Sequence, residues 1–425
     1  MGGRRFLTTW AAAAALFALT VAGFAVAVDP YLVFGAPRIV GFNHLKPTAP
    51  EHEQLAKVYQ FARQRPRTII FGSSRVDIGL DPNDPHWPAE LRPVYNFGLA
   101  GIGMFGMRRY IEHALSQSSP TFIVVGLDFE SFLSAPGQRG LSDPPMFEGE
   151  RRMALRRDGT PNPDVAWQRA ADYAGAAFSL SVLDDSVRTL LGSQMDSVDL
   201  TSSGDITEEG FRSTVRTDGQ YQLFAQKNQD FFRQYSRPHL ALFAGPGHTI
   251  PAMQDVRAIL ELCRAKGVRV ILFLQPTHTD RLEAFELLDY WSDFEDWKRA
   301  MVALVSAFNG DRTEPPVALW DFSGYDEHSE EAIPAPGDRT TQLHWFWEPA
   351  HYTRNLGSLL LARIFGSFDD SFGVRLTQDT LGDDLASIRA GRNRFRATRP
   401  DVEKRLGELY RAVVSPRPAV LSANP

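Results

Sequence analysis

The sequence predicts an α/β fold: a central parallel sheet covered by helices, carried behind an N-terminal transmembrane helix and interrupted by a long insert. Three observations predict it. Short β-rich apolar runs recur at 68–71, 94–97, 121–125, 268–274 and 317–320. Helical patterns at 104–116, 253–265 and 281–308 separate several of them, and strands alternating with helices fit a parallel sheet covered on both faces. The chain is long enough, at 425 residues with 43% hydrophobic content, to bury a sizeable core.

In chain order, Arg4 and Arg5 precede an uncharged apolar run over 6–28 that is long enough to cross a bilayer at roughly 1.5 Å per helical residue. Positive charge on that side holds the amino end in the cytoplasm. The remainder is therefore expected outside it, in the periplasm, held to the cell membrane by a single pass. Ala25-Val26-Ala27 also fits a cleaved signal peptide, although the run exceeds the usual signal core of roughly 7 to 15 residues.

After the anchor, 1–28, the Pro- and Gly-rich stretch 29–66 reads as a connector without clear periodicity. The organised domain is expected over 67–365. Within it, 137–247 turns polar, charged and Gly/Ser-bearing, as in Thr201-Ser202-Ser203-Gly204-Asp205, and reads as an inserted subdomain, a lid or a decorated crossover. Residues 366–425 read as a helical extension, with a charged helix-prone run at 376–413.

Composition removes some functions. A net charge of −6 without a long basic block gives no reason to expect a nucleic-acid partner. Cys263 is the only cysteine, which excludes an intrachain disulfide and a cysteine metal cluster.

The chemistry-bearing stretch is the strand Thr68-Ile69-Ile70-Phe71 breaking at Gly72-Ser73-Ser74-Arg75. It presents a hydroxyl at the carboxyl end of a strand, where open α/β sheets place their ligands. Serine needs a base to become a nucleophile, and His351, three residues after Glu348, is the candidate. Asp321, ending the fifth strand, is the rival carboxylate. The alternative for Ser73 and Ser74 is that they cap the next segment or bind a phosphate. Arg75 fits either a substrate anion or solvent.

Four blocks, Gly72-Ser73-Ser74, Asn96-Phe97-Gly98-Leu99-Ala100-Gly101, Gly126-Leu127-Asp128-Phe129 and Glu348-Pro349-Ala350-His351, resemble in spacing those of the SGNH, or GDSL-like, hydrolase superfamily. The resemblance covers most of the chain outside anchor, insert and tail. The Gly-Ser-Ser variant and Asp29-Pro30-Tyr31 after the anchor are similar to a membrane-anchored branch that includes the D-alanyl lipoteichoic acid transfer protein and alginate O-acetyltransferases. It implies a three-layer flavodoxin-like fold, Ser74 as nucleophile, His351 as base and Gly101 in the oxyanion hole. The third block departs from the family's Gly-x-Asn-Asp: an ionised Asp128 accepts hydrogen bonds and would repel an oxyanion.

Two other readings compete at the same residues. Gly101-Ile102-Gly103-Met104-Phe105-Gly106 is a complete G-x-G-x-x-G after a strand, with Asp128 at about the ~20-residue spacing of a ribose contact. Export argues against a nicotinamide cofactor, and no cofactor is expected. His344, Glu348 and His351 would share a face if helical, a geometry for a metal, but Pro349 and Trp345-Phe346-Trp347 disfavour a helix and no metal is expected. Trp345, Trp347 and Tyr352 fit either sugar stacking or packing. His278 fits a structural loop position.

The expected function is serine-dependent acyl transfer or ester hydrolysis through Ser74, His351 and Glu348. The resemblance implies an acylated donor, a cell-envelope glycan or polymer as acceptor, and a membrane-bound acyltransferase protein as partner. The alternative, to which Asp128 points, is an SGNH-like binding or assembly protein without turnover.

Overall fold

The computed structural model describes residues 2–135, 147–193, 195–245, 247–310, 316–366 and 372–414. Positions 137–146, 194 and 246 of the expected insert, 136 and 311–315 of the expected core, and 367–371 and 415–425 of the expected extension lie outside the described residues.

The elements run α1 (Gly2–Val28), α2 (Glu53–Ala62), β1 (Thr68–Phe71), α3 (Ser74–Gly79), β2 (Val94–Asn96), α4 (Met104–Gln117) and β3 (Phe122–Leu127). Helices α5 (Val165–Phe178), α6 (Leu180–Gly192), α7 (Glu209–Asp218), α8 (Gln220–Ser236) and α9 (Ala252–Ala265) precede β4 (Arg269–Leu274). The chain continues through α10 (Thr279–Leu287), α11 (Trp291–Asn309), β5 (Ala318–Asp321), α12 (Arg354–Ile364), β6 (Val374–Arg375), α13 (Leu381–Thr398) and α14 (Pro400–Val414). The strands form one mostly parallel sheet in the order β2-β1-β3-β4-β5-β6. Its first five strands follow the 2-1-3-4-5 order of doubly wound sheets of the flavodoxin type.

Several boundaries differ from the sequence expectation for identifiable reasons. β3 runs on to Leu127 because Gly126 and Leu127 continue its buried apolar run. The helix expected over 281–308 is two, α10 and α11, broken at Asp289 with φ +63°, a left-handed conformation that aspartate tolerates. The stretch read as a connector holds α2: its prolines and glycines lie outside Glu53–Ala62, which buries Ala56, Val58, Tyr59 and Phe61. β6, an antiparallel edge pairing Trp320 with Arg375, is too short to leave a periodic signal.

The chain folds as two compact units, Met1–Val124 with Pro144–Arg212 and Leu262–Val268, and Val125–Asp143 with Ser213–Glu261 and Arg269–Pro425. The helices of the expected insert are therefore shared between the units rather than gathered into one of their own.

In the first unit β1 is buried throughout and pairs in parallel with β2, Thr68 opposite Val94 and Ile70 opposite Asn96. Phe71 stacks on Phe97 at 5.6 Å, and Phe61, Tyr95 and Tyr110 pack around the same ring. The carboxyl end of α1 is fastened to this unit. Asp29, at φ +49°, accepts the N–H groups of Phe34 (3.1 Å), Gly35 (2.7 Å) and Ala36 (3.0 Å). Asn43 donates to the Ala27 carbonyl at 3.0 Å and Lys46 to that of Val28 at 2.6 Å, so polar groups a helix end leaves open are satisfied. The Asp-Pro-Tyr of the sequence is thus a structural clasp, with the Tyr31 hydroxyl donating to Asp185.

In the second unit β4 and β5 pair in parallel, Ile271 opposite Ala318 and Leu274 opposite Asp321. Phe129, just past β3, sits among Phe285 (5.1 Å), Phe294 (5.4 Å) and Trp297 (5.6 Å) and is 2% exposed. Truncating it leaves a cavity these large rings are poorly able to fill. Phe129→Ala is expected to lower the unfolding free energy by about 3–5 kcal/mol, read from urea unfolding of the detergent-solubilised protein.

Candidate active site

The serine turn belongs to the first unit. Ser73 is the N-cap of α3: its Oγ accepts the Arg75 N–H at 3.3 Å, and the residue is buried. The capping role weighed for the two serines thus falls to Ser73, while Ser74 opens the helix and is half-buried. Arg75 is only 6% exposed, so a solvated role is removed.

Helix α3 is held from three directions by residues of the same unit. The Asn96 amide donates to the carbonyls of Val76 (2.8 Å) and Leu80 (3.0 Å), and its oxygen accepts the Gly98 N–H at 2.8 Å. Gly98 lies so close that a Cβ there would stand 2.9 Å from the Asp77 backbone nitrogen. Lys57 of α2, with no exposed side chain, pairs with Asp77 Oδ1 at 2.6 Å and donates to the Gly98 carbonyl. Burial pushes Asp77 well above the ordinary carboxylate range, Lys57 opposing and Glu53 adding to the rise. Glu53 also accepts the Ala100 N–H at 2.6 Å.

Gly101 follows in a turn closed by the Ile102 N–H on the Leu99 carbonyl at 3.3 Å. Its φ of +63° accounts for the glycine. A Cβ built there would meet nothing within 4 Å, so the turn faces open space.

The base candidate belongs to the second unit. Residues 345–353 form a tight hairpin, with Trp347 N–H on the His351 carbonyl and Thr353 N–H on that of Trp345, both at 2.9 Å. Glu348-Pro349-Ala350-His351 is its tip. The Glu348 carboxylate, 1% exposed, accepts the His351 N–H at 2.7 Å and bonds the same residue's Nδ1. Burial alone would raise Glu348, but the charge and hydrogen bond of His351, with Arg281 and Lys227, more than reverse it and hold the carboxyl at about 2.

The hairpin is itself built in. Gln220, fully buried, accepts the Leu343 N–H (2.7 Å) and donates to the Phe346 (2.6 Å) and Trp347 (3.1 Å) carbonyls. Glu331 accepts the N–H groups of His344 and Trp345 at 2.6 and 2.8 Å. His278 caps α10, and its backbone N–H donates to the Pro349 carbonyl at 3.3 Å.

The rival residues are accounted for elsewhere in the second unit. Asp321 pairs with the buried Lys298 at 2.5 Å and accepts the Ser323 N–H at 2.7 Å, while the carboxylate joined to His351 is Glu348. Asp128 accepts from Gln275 Nε2 at 2.8 Å, and Gln275 Oε1 accepts from Tyr352 at 3.2 Å. Its carboxylate therefore acts as an acceptor. Trp347 and Tyr352 are wholly buried and pack the core, whereas Trp345 is partly exposed between His328 and His344.

The hairpin also removes the helical face on which the metal alternative depended, and no three His, Cys, Asp or Glu residues group to hold a metal among the described residues. For the dinucleotide alternative, the glycines do run from β2 into α4, but β1 lies between β2 and β3 in the sheet order. A dinucleotide fingerprint needs those two strands adjacent. No family model and no curated protein matches the chain.

Sequence reasoning missed Lys57, Glu53 and Asp77, and it missed Gln220, Gln275 and Glu331. Of these only Asp77, three residues after Ser74, left any signal.

Glu348 titrates lower when folded than its ordinary 4.5, so it contributes stability that is present above about pH 4.5 and lost as the pH falls toward about 2. The stability difference between the wild type and Glu348→Gln is expected to narrow across that window. Urea midpoints measured at each pH read it, and a difference independent of pH would contradict the assignment.

Proposed function

We propose that the chain is a membrane-anchored acyl transferase or esterase of the SGNH type, with a three-layer flavodoxin-like domain, acting on a cell-envelope polymer or glycan. The observation that carries the reading is the Glu348–His351 pair. A buried carboxylate on Nδ1 fixes the ring and its tautomer and assigns proton exchange with a nucleophile to Nε2. Ser74 is the nucleophile this reading requires, since Ser73 is committed to the cap. The end of β1 supports it, lying where the strand order reverses, the usual ligand position in doubly wound sheets.

In the proposed cycle Ser74 Oγ attacks an acyl carbonyl while His351 Nε2 takes its proton. The N–H groups of Ser74 and Gly101 receive the oxyanion, and Asp128, an acceptor, has no part in the hole. Collapse breaks the bond to the donor's leaving group, which takes the proton back from His351. The acyl-serine then passes its acyl group to water or a glycan hydroxyl, whose proton His351 removes and returns to Ser74 Oγ as the acyl–Oγ bond breaks. Glu348 stabilises the imidazolium throughout.

The acylated donor, the glycan acceptor and a membrane-bound acyltransferase partner follow from the family resemblance. Helix α1 is long and apolar enough to span a membrane, and Arg4 and Arg5 ahead of it support a single pass with the domain on the extracytoplasmic side.

A fluorophosphonate probe with peptide mapping tests the reading on the full-length protein. Labelling is expected in the wild type and in Ser73→Ala, to vanish in Ser74→Ala and to fall sharply in His351→Ala. No labelling of folded wild type would favour the binding or assembly reading.

A further inference from the structure

Helix α1 leaves the first unit with most of its length uncovered. Residues 3–20 are exposed, and burial begins only with Ala22, Ala25 and Val28. The uncovered part measures roughly 27 Å at ~1.5 Å per residue, slightly short of a ~30 Å hydrocarbon core. A bilayer spanned by α1 therefore extends to the turn at which the helix is already packed on the unit.

The element packed there is the corner between α5 and α6. Ala176 and Val182 share one buried cluster with Ala25, and Ser179 alone separates the two helices. The course of both helices points the corner toward the membrane. In α5, Asp172 bonds Tyr59 and Tyr173 stacks on Phe34, in the body of the unit, before Ala176 reaches Ala25. In α6 the order reverses: Val182 meets Ala25, Asp185 bonds Tyr31, and Ser193 bonds Leu45.

At the apex, beyond the level of Ala25, stand Phe178 and Leu180, 60% and 88% exposed. Ser179 caps α6 through the Val182 N–H at 3.1 Å, so the apex exposes side chains without opening backbone groups. Charge returns one turn along α6, in the exposed Asp184–Arg188 pair at 2.8 Å. Apolar side chains at the tip and ions one turn behind suit an element lying in the headgroup boundary.

We propose that the α5–α6 corner is a second membrane contact: Phe178 and Leu180 enter the lipid of the bilayer that α1 spans, in the leaflet facing the domain. The proposal rests on the reading of α1 as a transmembrane helix. With two points of attachment, the first unit is held at a fixed tilt to the membrane rather than swinging on one helix.

Full-length protein in phosphatidylcholine liposomes tests it, with an environment-sensitive fluorophore on Leu180→Cys, on Phe178→Cys or on Ala14→Cys within α1. The native Cys263 is fully buried, which confines labelling to the introduced thiol. Lipids bearing a nitroxide near the headgroup are expected to cause a loss of emission at Leu180 and Phe178, relative to liposomes without nitroxide. Lipids with a deep-chain nitroxide are expected to do the same at Ala14. Quenching at Ala14 without quenching at Leu180 or Phe178 overturns the corner contact and leaves the transmembrane reading intact, as would follow if the corner docked on another protein. Quenching at none of the three overturns both.

Discussion

A carboxylate with 1% exposure is tolerable only where a partner answers it, and at Glu348 the partner is His351. The three-residue spacing, closed by a hairpin with Pro349 at its tip, lets one oxygen take both the backbone N–H and the ring nitrogen. The surrounding polar groups keep that hairpin in place. Gln220 holds its flank, Glu331 its entry, and His278 its proline carbonyl. Removing the carboxylate would take away the hydrogen bond that holds the ring at Nδ1.

The first unit solves the matching problem for the serine. A six-residue helix has little stability of its own, so α3 is fixed from outside, by Asn96 at its carbonyls, Gly98 against its backbone and Lys57 on Asp77. Lys57 also bonds the Gly98 carbonyl, which couples the serine helix to the loop leading to Gly101. Each half of the proposed chemistry is thus organised within its own unit. Neither depends on a mobile side chain finding its place.

Much of this was legible in the sequence where information is local. The apolar run Thr68-Ile69-Ile70-Phe71 announces β1, and the Gly72-Ser73-Ser74 that ends it marks the turn into α3. Glu348 and His351 are found together because their pairing spans three residues. The interactions that were not legible join distant positions: Lys57 to Gly98, Gln220 to Leu343, Gln275 to Asp128. No period or motif records such pairings, since they arise only when strands are laid side by side. The choice between Glu348 and Asp321 was open in sequence for the same reason, and the buried Lys298 beside Asp321 is what distinguishes their surroundings.

In the proposed cycle Glu348, through His351, activates Ser74. The rate of phosphonylation at Ser74, compared between Glu348→Gln and Asp321→Asn at matched folded fraction, tests it most directly. A fall of about 10²–10⁴-fold is expected in Glu348→Gln and a rate near wild type in Asp321→Asn. A wild-type rate in Glu348→Gln, or a loss confined to Asp321→Asn, would contradict it.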